Sequence, residues 1–261
     1  MTKMTDFQRN ITAFLPEIEI RLQEPMSSHT SFRIGGPAEA MAFPKNKEEL
    51  AKILKASALL DCKPVILGAG TNVLAPDAGL SGLEFAHGIP GSVGGGGYMN
   101  AGAYGGEICQ VCTEVEVMDR QGNISILTND QMQFSYRHSL LEDTDDIVIR
   151  ADFRLTKAEP QAIKDRMKEL VGKRSASQPL ELPSAGSAFK RPVGGYAAAL
   201  IEQAGLKGFQ VGGAAISSKH AGFAVNVGNA TAADVKDLLK QVSDKVYEQS
   251  GIRLEPEVRI W

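Results

Sequence analysis

The chain has 261 residues, 43% of them hydrophobic and 23% charged, which is typical of a globular protein of one large domain or two smaller ones. A net charge of −3 argues against nucleic acid or an anionic membrane as the main partner. No apolar run approaches the roughly 18 residues of a membrane span, and residues 1–10 lack the apolar core of a signal peptide. The three cysteines suit a reducing cytoplasm. Cys109 and Cys112 form a CxxC, but no second pair completes a zinc site, so we expect no metal.

Residues up to Leu67 predict two helices and three short strands. Apolar residues recur at helical spacing at the start of the chain: Met4, Phe7, Ile11, Phe14 and Leu15. Strands are expected at residues 30–34 and 39–43, on either side of a glycine–proline turn. Asn46 is expected to cap the second helix, whose buried face would carry Leu50, Ile53, Leu54 and Ala58. Residues 64–67 then predict a short buried strand.

That strand runs into a loop formed by Gly68, Ala69, Gly70, Thr71 and Asn72. The two glycines let the backbone turn sharply and present its N–H groups, and the Thr and Asn side chains add donors, which suits a pyrophosphate. An ordinary turn at the end of a strand is an equally good interpretation. The dinucleotide-binding fingerprint is not matched, because the third glycine and an immediately following helix are both missing.

Residues 88–106 form the most unusual stretch of the chain. Nine of these nineteen positions are glycine, and glycine permits close approach to a ligand and a backbone that points its N–H groups outward. Such runs bind phosphates or other anions. A flexible linker is the alternative interpretation, but linkers rarely carry Ile, Val, Met and two Tyr among their glycines.

The middle of the chain predicts an antiparallel sheet followed by a helix. Valines alternate at residues 111–117, and a polar turn at residues 119–123 leads to a second strand that contains Ile124 and Ile126. Residues 147–155 alternate as a half-buried strand. A helix is expected to begin at Pro160 and to run to about Arg174.

The last third begins with a proline-bounded loop at residues 178–192, the expected domain junction. Residues 198–204 predict a helix and residues 223–227 a strand. Thr231 is expected to cap a final helix with Asp234 as the reciprocal acid. The buried stripe of that helix would comprise Val235, Leu238, Leu239, Val242 and Val246. Residues 252–261 predict a closing strand.

Nine segments, in order from about residue 28 to the C-terminus, together resemble one family: SFRIGGPA, GAGTNVL, GLSGLEFAHGIPGSVGG, MNAGAYGGEI, SYRHS, QPLELPSAGSAFKRP, LIEQAGLKG, SSKHAGFAVN and LEPEVRI. They are similar to UDP-N-acetylenolpyruvoylglucosamine reductase, the MurB family. Members of this family are flavoenzymes that complete UDP-N-acetylmuramate for bacterial peptidoglycan. The form of residues 174–187 is similar to the compact subtype of the family.

The resemblance implies an α+β fold. An N-terminal helix in residues 1–27 would precede an FAD-binding domain of the vanillyl-alcohol-oxidase type in residues 28–160, with two lobes divided near residues 73–82. A C-terminal α/β substrate-binding domain would fill residues 161–261. FAD would be held noncovalently, because no histidine stands beside the GxGTN loop. The implied FAD contacts are Gly68, Ala69, Gly70, Thr71, Asn72, Gly91, Ser92, Gly94, Gly95, Asn100 and Gly102.

The resemblance also implies a reaction, in which a cytoplasmic monomer uses NADPH and FAD to reduce UDP-N-acetylglucosamine enolpyruvate. Arg137 matches the cation that stabilises the enolate, Glu257 the acid that assists, and Ser187 the proton donor. Tyr136, Lys190 and Arg191 would contact the substrate. Without the family, these catalytic positions have plainer interpretations: a solvated arginine, an edge-strand charge and a turn serine.

The chain departs from the family pattern mainly after the GxGTN loop, where the family has several tens of further residues. Here residues 72–78 pass directly into residues 79–85, which predicts a shortened second lobe with an exposed sheet edge and uncovered apolar faces. Arg191 stands where the family often has Asn, and Ala199 where it often has Lys.

Three functions stay open: an active reductase; a family remnant with impaired FAD binding that retains only a nucleotide-sugar-binding domain; and a flavin oxidase with another substrate, which the C-terminal motifs disfavour.

Overall fold

The computed structural model describes residues 4–67 and 79–260. The helices in these residues are α1 Asp6–Phe14, α2 Lys47–Leu59, α3 Val93–Tyr98, α4 Leu141–Thr144, α5 Pro160–Ser177, α6 Ala197–Gln203 and α7 Ala232–Ser250. The strands are β1 Glu19–Pro25, β2 Pro37–Phe43, β3 Leu80–Ser81, β4 Gly102–Ala103, β5 Gly106–Glu107, β6 Cys112–Met118, β7 Ile124–Thr128, β8 Ile147–Phe153, β9 Thr156–Lys157, β10 Ser184–Ser187, β11 Gln210–Val211, β12 Ala214–Ile216 and β13 Phe223–Asn226. None of the described helices combines the length and apolar character that a membrane span needs.

The chain divides into two compact units. The first comprises Met1–Glu24 and Glu39–Gly172, and the second comprises Pro25–Ala38 and Lys173–Trp261. The predicted boundary after residue 160 falls at the start of α5, whereas this division falls near the C-terminal end of that helix. The functions assigned to the domains stay predictions.

The first unit is built on an antiparallel sheet with the strand order β7-β6-β8. Val115 of the central strand is paired with Leu127 on one side and Ala151 on the other. The alternation of residues 111–117 and 147–155 therefore predicted these strands correctly. The polar turn between β6 and β7 is closed by the Asp119 carboxylate, which accepts hydrogen bonds from two backbone N–H groups. The main buried cluster comprises Phe85, Ile108, Cys112, Val115, Val117, Met132 and Leu141.

Helices α1 and α2 form where their caps and apolar spacing predict them. The Asn46 side chain accepts a 2.8 Å hydrogen bond from the N–H of Glu49 at the start of α2. The two helices share a buried cluster of Ile11, Leu15, Ile18, Ile53 and Ala56. The predicted faces are wrong at Met4, which precedes α1 and is 39% exposed, at Phe14, which is 54% exposed, and at Ala58, which is also exposed. Phe14 and Leu15 are neighbours and so point about 100° apart around the helix, and the core buries Leu15.

The predicted strand at residues 30–34 is wrong. The Thr30 hydroxyl donates to the carbonyl oxygen of Ile34, and the N–H of Arg33 donates to the carbonyl oxygen of Thr30. These local bonds close a turn, and they use the groups that a strand would offer to a neighbour. β2 pairs instead with β1, Glu19–Pro25, for which the sequence analysis predicted no strand.

The predicted buried strand at residues 64–67 is also wrong. Val65, Ile66 and Leu67 are 58%, 40% and 41% exposed, and these residues have no strand assignment. An apolar run becomes a strand only where a neighbouring strand pairs with its N–H and C=O groups. The carbonyl oxygen of Pro64 accepts a 3.2 Å hydrogen bond from the Arg120 guanidinium, which is a side-chain contact and not strand pairing.

The second unit packs α6 and α7 on a four-stranded antiparallel sheet with the order β10-β13-β12-β11. α7 begins at the predicted capping box of Thr231 and Asp234, and all five residues of its predicted stripe are buried. The predicted strand at residues 252–261 is wrong for the described part of that range, where a single bridge joins Pro256 to Phe189. Two backbone hydrogen bonds flank this bridge, from the N–H of Lys190 to the carbonyl oxygen of Glu255 and from the N–H of Glu257 to the carbonyl oxygen of Ala188. A single bridge is too short to form a strand.

Candidate active site

Tyr136 and Arg137 lie at the tip of a tight turn in the first unit. The flanking Ser135 and His138 close it by exchanging backbone hydrogen bonds of 3.1 and 3.3 Å; we refer to these four residues as the Arg137 turn. Arg137 has a φ of +54°, in the left-handed region that long side chains rarely adopt. Its guanidinium donates a 2.9 Å hydrogen bond to the carbonyl oxygen of Gly102, and its Cζ atom lies 5.2 Å from the ring centroid of Tyr136. The turn thus holds a half-buried cation in a defined place.

The side chain of Asn100 binds one end of the Arg137 turn. Its Nδ2 donates to the carbonyl oxygen of Ser135 and to the carboxylate of Glu107, both at 3.0 Å. Its Oδ1 accepts a 3.0 Å hydrogen bond from the N–H of Cys109. Asn100 is 1% exposed, and its side chain joins the Arg137 turn to residues 107–109. Asn100 was predicted to contact FAD, and its bonds to the Arg137 turn were not predicted.

Ser139, the residue directly after the Arg137 turn, fixes the other end of that turn. It is completely buried, and its hydroxyl donates a 2.6 Å hydrogen bond to the carbonyl oxygen of Tyr98, at the end of α3. The sequence analysis gave Ser139 no role, although it closes the SYRHS segment. The Arg137 turn is therefore held at both ends, by Tyr98 at the last position of α3 and by Asn100 two residues later.

The predicted pyrophosphate contacts in the glycine-rich run lie together at the start of α3. Ser92 caps this six-residue helix, and its hydroxyl accepts a 3.0 Å hydrogen bond from the N–H of Gly95. A Cβ atom at Gly94 would lie 3.5 Å from Val148, so this glycine packs on β8. The first N–H groups of a helix have no partner within it. This end of α3 can therefore donate hydrogen bonds to an anion.

The β4–β5 hairpin needs glycine for steric reasons. A Cβ atom at Gly106 would lie 2.5 Å from the Phe85 ring, and one at Gly102 would lie 2.6 Å from the Glu107 side chain. The hairpin can close only without side chains at these positions. In the closed hairpin the carbonyl oxygen of Gly102 accepts the hydrogen bond from the Arg137 guanidinium.

Ser187 and Glu257 lie on adjacent backbone segments of the second unit. Ser187 is the exposed last residue of β10, and Ala188, which follows it, is completely buried. The N–H of Ala188 donates to the carbonyl oxygen of Gly222 at 2.8 Å, and its own carbonyl oxygen accepts from the N–H of Glu257 at 3.0 Å. The predicted proton donor and the predicted acid thus flank one fixed residue.

Lys190 and Arg191 follow on the same segment with their charges near the surface. The Lys190 ammonium forms an ion pair with Glu255, and both side chains are exposed. The Cζ atom of Arg191 lies 4.1 Å from the ring centroid of Tyr196, a cation–π contact. Two cations are therefore available to an anionic ligand on the strand segment that carries Ser187.

His220 is a titratable residue near Ser187 to which the sequence analysis gave no role. Its Nδ1 accepts a 3.1 Å hydrogen bond from the N–H of Gly222, and its ring meets the edge of Phe223 with centroids 5.0 Å apart. Phe223 is the strand partner of Ser187. Burial lowers the pKa of His220, which favours a neutral ring that keeps Nδ1 as an acceptor.

The CxxC pair shows no sign of a reactive thiol. Burial raises the pKa of Cys109, and it raises the pKa of Cys112 to about 11, so both favour the thiol over the nucleophilic thiolate. Within residues 4–67 and 79–260, no group of three or more His, Cys, Asp or Glu side chains could hold a metal ion.

Comparisons with known proteins identify the family. The family model described as "UDP-N-acetylenolpyruvoylglucosamine reductase, C-terminal domain" matches residues 178–261. A UDP-N-acetylenolpyruvoylglucosamine reductase of Lactococcus lactis subsp. cremoris (strain MG1363) is 40% identical over 300 positions, which cover 100% of this chain and 99% of the relative. The chain belongs to the UDP-N-acetylenolpyruvoylglucosamine reductase family. A second such reductase, from Caldanaerobacter subterraneus subsp. tengcongensis, is 42% identical over 94% of this chain and 95% of its own.

The crystal structure of the reductase (MurB) from Thermus caldophilus supports the same family and an α+β fold. It superposes with a TM-score of 0.76 at 32% identity, covering 94% of this chain and 99% of that one. The alignment with the Lactococcus reductase spans 300 positions although this chain has 261 residues, so at least the difference of 39 positions has no counterpart here. This chain is therefore shorter than that member of the reductase family.

The predicted site residues of this reductase-family chain fall into three groups. Arg137, Tyr136, Asn100 and Gly102 come together in the first unit, with the α3 residues preceding them in the chain. Ser187, Glu257, Lys190 and Arg191 come together in the second unit. Gly68, Ala69, Gly70, Thr71 and Asn72 lie outside the described residues.

Proposed function

We propose that this chain is an FAD-dependent reductase that uses NADPH to convert UDP-N-acetylglucosamine enolpyruvate into UDP-N-acetylmuramate for peptidoglycan synthesis. The observation that carries the proposal is the pairing of the Ser187 segment with the Glu257 segment, inside the region matched by the reductase C-terminal domain. Full-length similarity to named reductases supports it.

The residues at the start of α3 fit the diphosphate of FAD. The helix N-terminus offers backbone donors and the positive end of a dipole, and its glycines leave room for close approach. We propose that FAD binds noncovalently in a two-lobed domain of the vanillyl-alcohol-oxidase type, on Gly91, Ser92, Gly94 and Gly95 and on the GxGTN loop. When bound, FAD would carry the hydride from NADPH to the substrate double bond.

Arg137 is proposed as the fixed cation of the reaction. Hydride addition at the substrate carbon remote from the carboxylate leaves negative charge on that carboxylate as an enolate. A preorganised positive charge beside that oxygen lowers the barrier. The left-handed backbone of Arg137, its bond to Gly102 and its contact with Tyr136 support this role, because they fix the guanidinium before substrate binds.

Ser187 is proposed to donate the proton from its hydroxyl to the second carbon. A hydroxyl is a weak acid, so it needs accurate placement and nearby charge. Ser187 is exposed at the end of a strand, and its position is fixed by the two hydrogen bonds of Ala188. Glu257, whose N–H makes one of those bonds, would assist by hydrogen bonding.

Lys190 and Arg191 are proposed to bind the substrate diphosphate, with Tyr136 as a further substrate contact. The ion pair of Lys190 with Glu255 is exposed on both sides, and such pairs contribute only about 0–1 kcal/mol, so an anionic ligand can replace it. We further propose that the enzyme is a cytoplasmic monomer. Its three free cysteines support a reducing compartment.

A second candidate function is supported by the exposed apolar residues 65–67 and by the length difference from the Lactococcus reductase. In this alternative the second unit binds the nucleotide sugar, while the first unit is too incomplete to hold FAD at working concentrations.

Separate measurement of the two half-reactions tests the proposal. In Ser187→Ala, NADPH should still reduce the bound flavin at the normal rate, while substrate reduction should fall by roughly 10²–10⁴-fold. Ser250→Ala is the control, because its hydroxyl donates to the carbonyl oxygen of Val246 at the end of α7. It should keep both half-reactions. Equal loss of both half-reactions in Ser187→Ala would refute the assignment.

A further inference from the structure

The donors of the Asn100 side chain are used up inside the protein. An amide side chain carries two N–H donors, and those of Asn100 go to the Ser135 carbonyl oxygen and the Glu107 carboxylate. Its oxygen accepts from the N–H of Cys109. At 1% exposure the side chain also has almost no surface to offer a cofactor. Its contacts therefore point to a role other than binding FAD.

The Arg137 turn needs such an anchor. A non-glycine residue in a sparsely populated backbone region is strained and persists only where its surroundings hold it. Arg137 has a φ of +54°. Residues 98–102 hold the turn by three side-chain bonds: Asn100 to the Ser135 carbonyl oxygen, Ser139 to the Tyr98 carbonyl oxygen, and Arg137 itself to the Gly102 carbonyl oxygen.

We propose that Asn100 is a positioning residue that holds the Arg137 turn in its left-handed conformation and thereby places the guanidinium for the reaction. The inference rests on the proposed function in one respect, that Arg137 acts on the substrate. The bond that carries the effect is the one to Ser135. The bond to Glu107 fixes the Asn100 side chain but does not touch the turn.

Two substitutions separate these bonds. Asn100→Asp removes both donors and places a carboxylate against that of Glu107. Adding Glu107→Gln supplies an amide at position 107. Its N–H can donate to the new carboxylate at position 100, so the hydrogen bond between the two side chains is restored in the opposite direction. The Ser135 carbonyl oxygen still lacks its donor in the double variant. Glu107→Gln alone keeps an oxygen that can accept from Asn100, and it serves as the control.

Hydrogen–deuterium exchange on the full chain without cofactor is the first readout. In the double variant the melting temperature should recover only part of the loss seen in Asn100→Asp, because the Ser135 carbonyl oxygen still lacks its donor. The amides of Ser135 and His138 should exchange at least about tenfold faster in it. Glu107→Gln should match the unmodified chain in that exchange. Because this readout needs no activity, it decides the anchor even if the chain proves not to be a reductase.

The half-reactions are the second readout. In the double variant, flavin reduction by NADPH should stay within about twofold of normal, while substrate reduction should fall by about 10²-fold, as expected for a small misplacement of a catalytic group. Normal exchange at Ser135 and His138 together with normal substrate reduction would overturn the proposal. Loss of FAD binding in the double variant, with the turn intact, would overturn it in favour of a direct cofactor contact.

Discussion

The backbone N–H of Glu257 donates a 3.0 Å hydrogen bond to the carbonyl oxygen of Ala188, the residue that follows Ser187. A second bond, from the N–H of Lys190 to the carbonyl oxygen of Glu255 at 2.9 Å, fixes the register of the two segments. The position of the Ser187 backbone relative to the Glu257 backbone is thus set by two hydrogen bonds on either side of Phe189.

Replacing Glu257 with Gln tests the acid role with little change in shape. The backbone bond to Ala188 stays, but the side chain can no longer ionise, so substrate reduction should fall by about 10²-fold while flavin reduction by NADPH stays normal. Stopped-flow absorbance follows both steps. Glu248→Gln, on the exposed side of α7, is the control and should change neither. A normal rate of substrate reduction in Glu257→Gln would contradict the role.

Replacing Lys190 with Ala should weaken binding of a uridine-diphosphate sugar by roughly tenfold, since a hydrogen bond to a charged group contributes about 1.5–3 kcal/mol. The affinity should also become less sensitive to salt, because a screened charge contact is gone. Titration calorimetry at two ionic strengths measures both effects. Lys240→Ala, which breaks a surface pair with Asp244 on α7, should change neither. Unchanged affinity in Lys190→Ala would place the diphosphate elsewhere.

The pKa of His220 predicts a loss of stability in mild acid. Burial lowers this pKa below its ordinary value of 6.5, so the unfolded chain takes up the proton at a higher pH than the folded chain. The His220 contribution is fully present above pH 6.5 and is lost as the pH falls from there towards the folded pKa. The nearby charges of Lys207 and Glu202 act in opposite directions on the ring.

His220→Asn keeps an acceptor for the N–H of Gly222 but does not titrate. Unfolding by denaturant at about pH 7.5 and about pH 5.5 should show a larger loss of stability in the unmodified chain than in the variant. Equal losses in the two proteins would show that His220 is not kept neutral by the fold.

The cap of α7 predicts a small, measurable stability effect. The Thr231 hydroxyl accepts a 3.1 Å hydrogen bond from the N–H of Asp234. Thr231→Ala should therefore lower the free energy of unfolding by about 1 kcal/mol, and Thr231→Ser by much less. Urea unfolding followed by circular dichroism measures the difference. Equal stability of the two variants would mean that the cap contributes nothing.

Local chemistry predicted the helices and the central sheet well. The caps at Asn46 and Thr231 depend on residues three positions apart, and the α7 stripe follows from helical spacing alone. The wrong strands share a different cause, because a strand needs a partner that its own residues do not specify. Residues 64–67 are apolar but exposed, and pairing within residues 252–260 is limited to the bridge at Pro256 and the backbone bonds of Glu255 and Glu257 that flank it.

The candidate site was likewise predicted in part. Arg137, Ser187 and Glu257 were identified from motifs, whereas the anchors of the Arg137 turn were not. Asn100 reaches Ser135 across 35 positions and Ser139 reaches Tyr98 across 41. Nothing in the spacing of a single sequence indicates hydrogen bonds over such separations. A buried polar residue beside a proposed catalytic one is the structural signal that reveals them.

The reductase function is tested most directly by adding FAD and NADPH to the purified full-length chain and then adding UDP-N-acetylglucosamine enolpyruvate. We predict that flavin stays bound after gel filtration, and that one NADPH is consumed for each substrate molecule reduced. A chain that binds the nucleotide sugar but retains no flavin and consumes no NADPH on substrate addition would contradict it and would support the nucleotide-sugar-binding remnant instead.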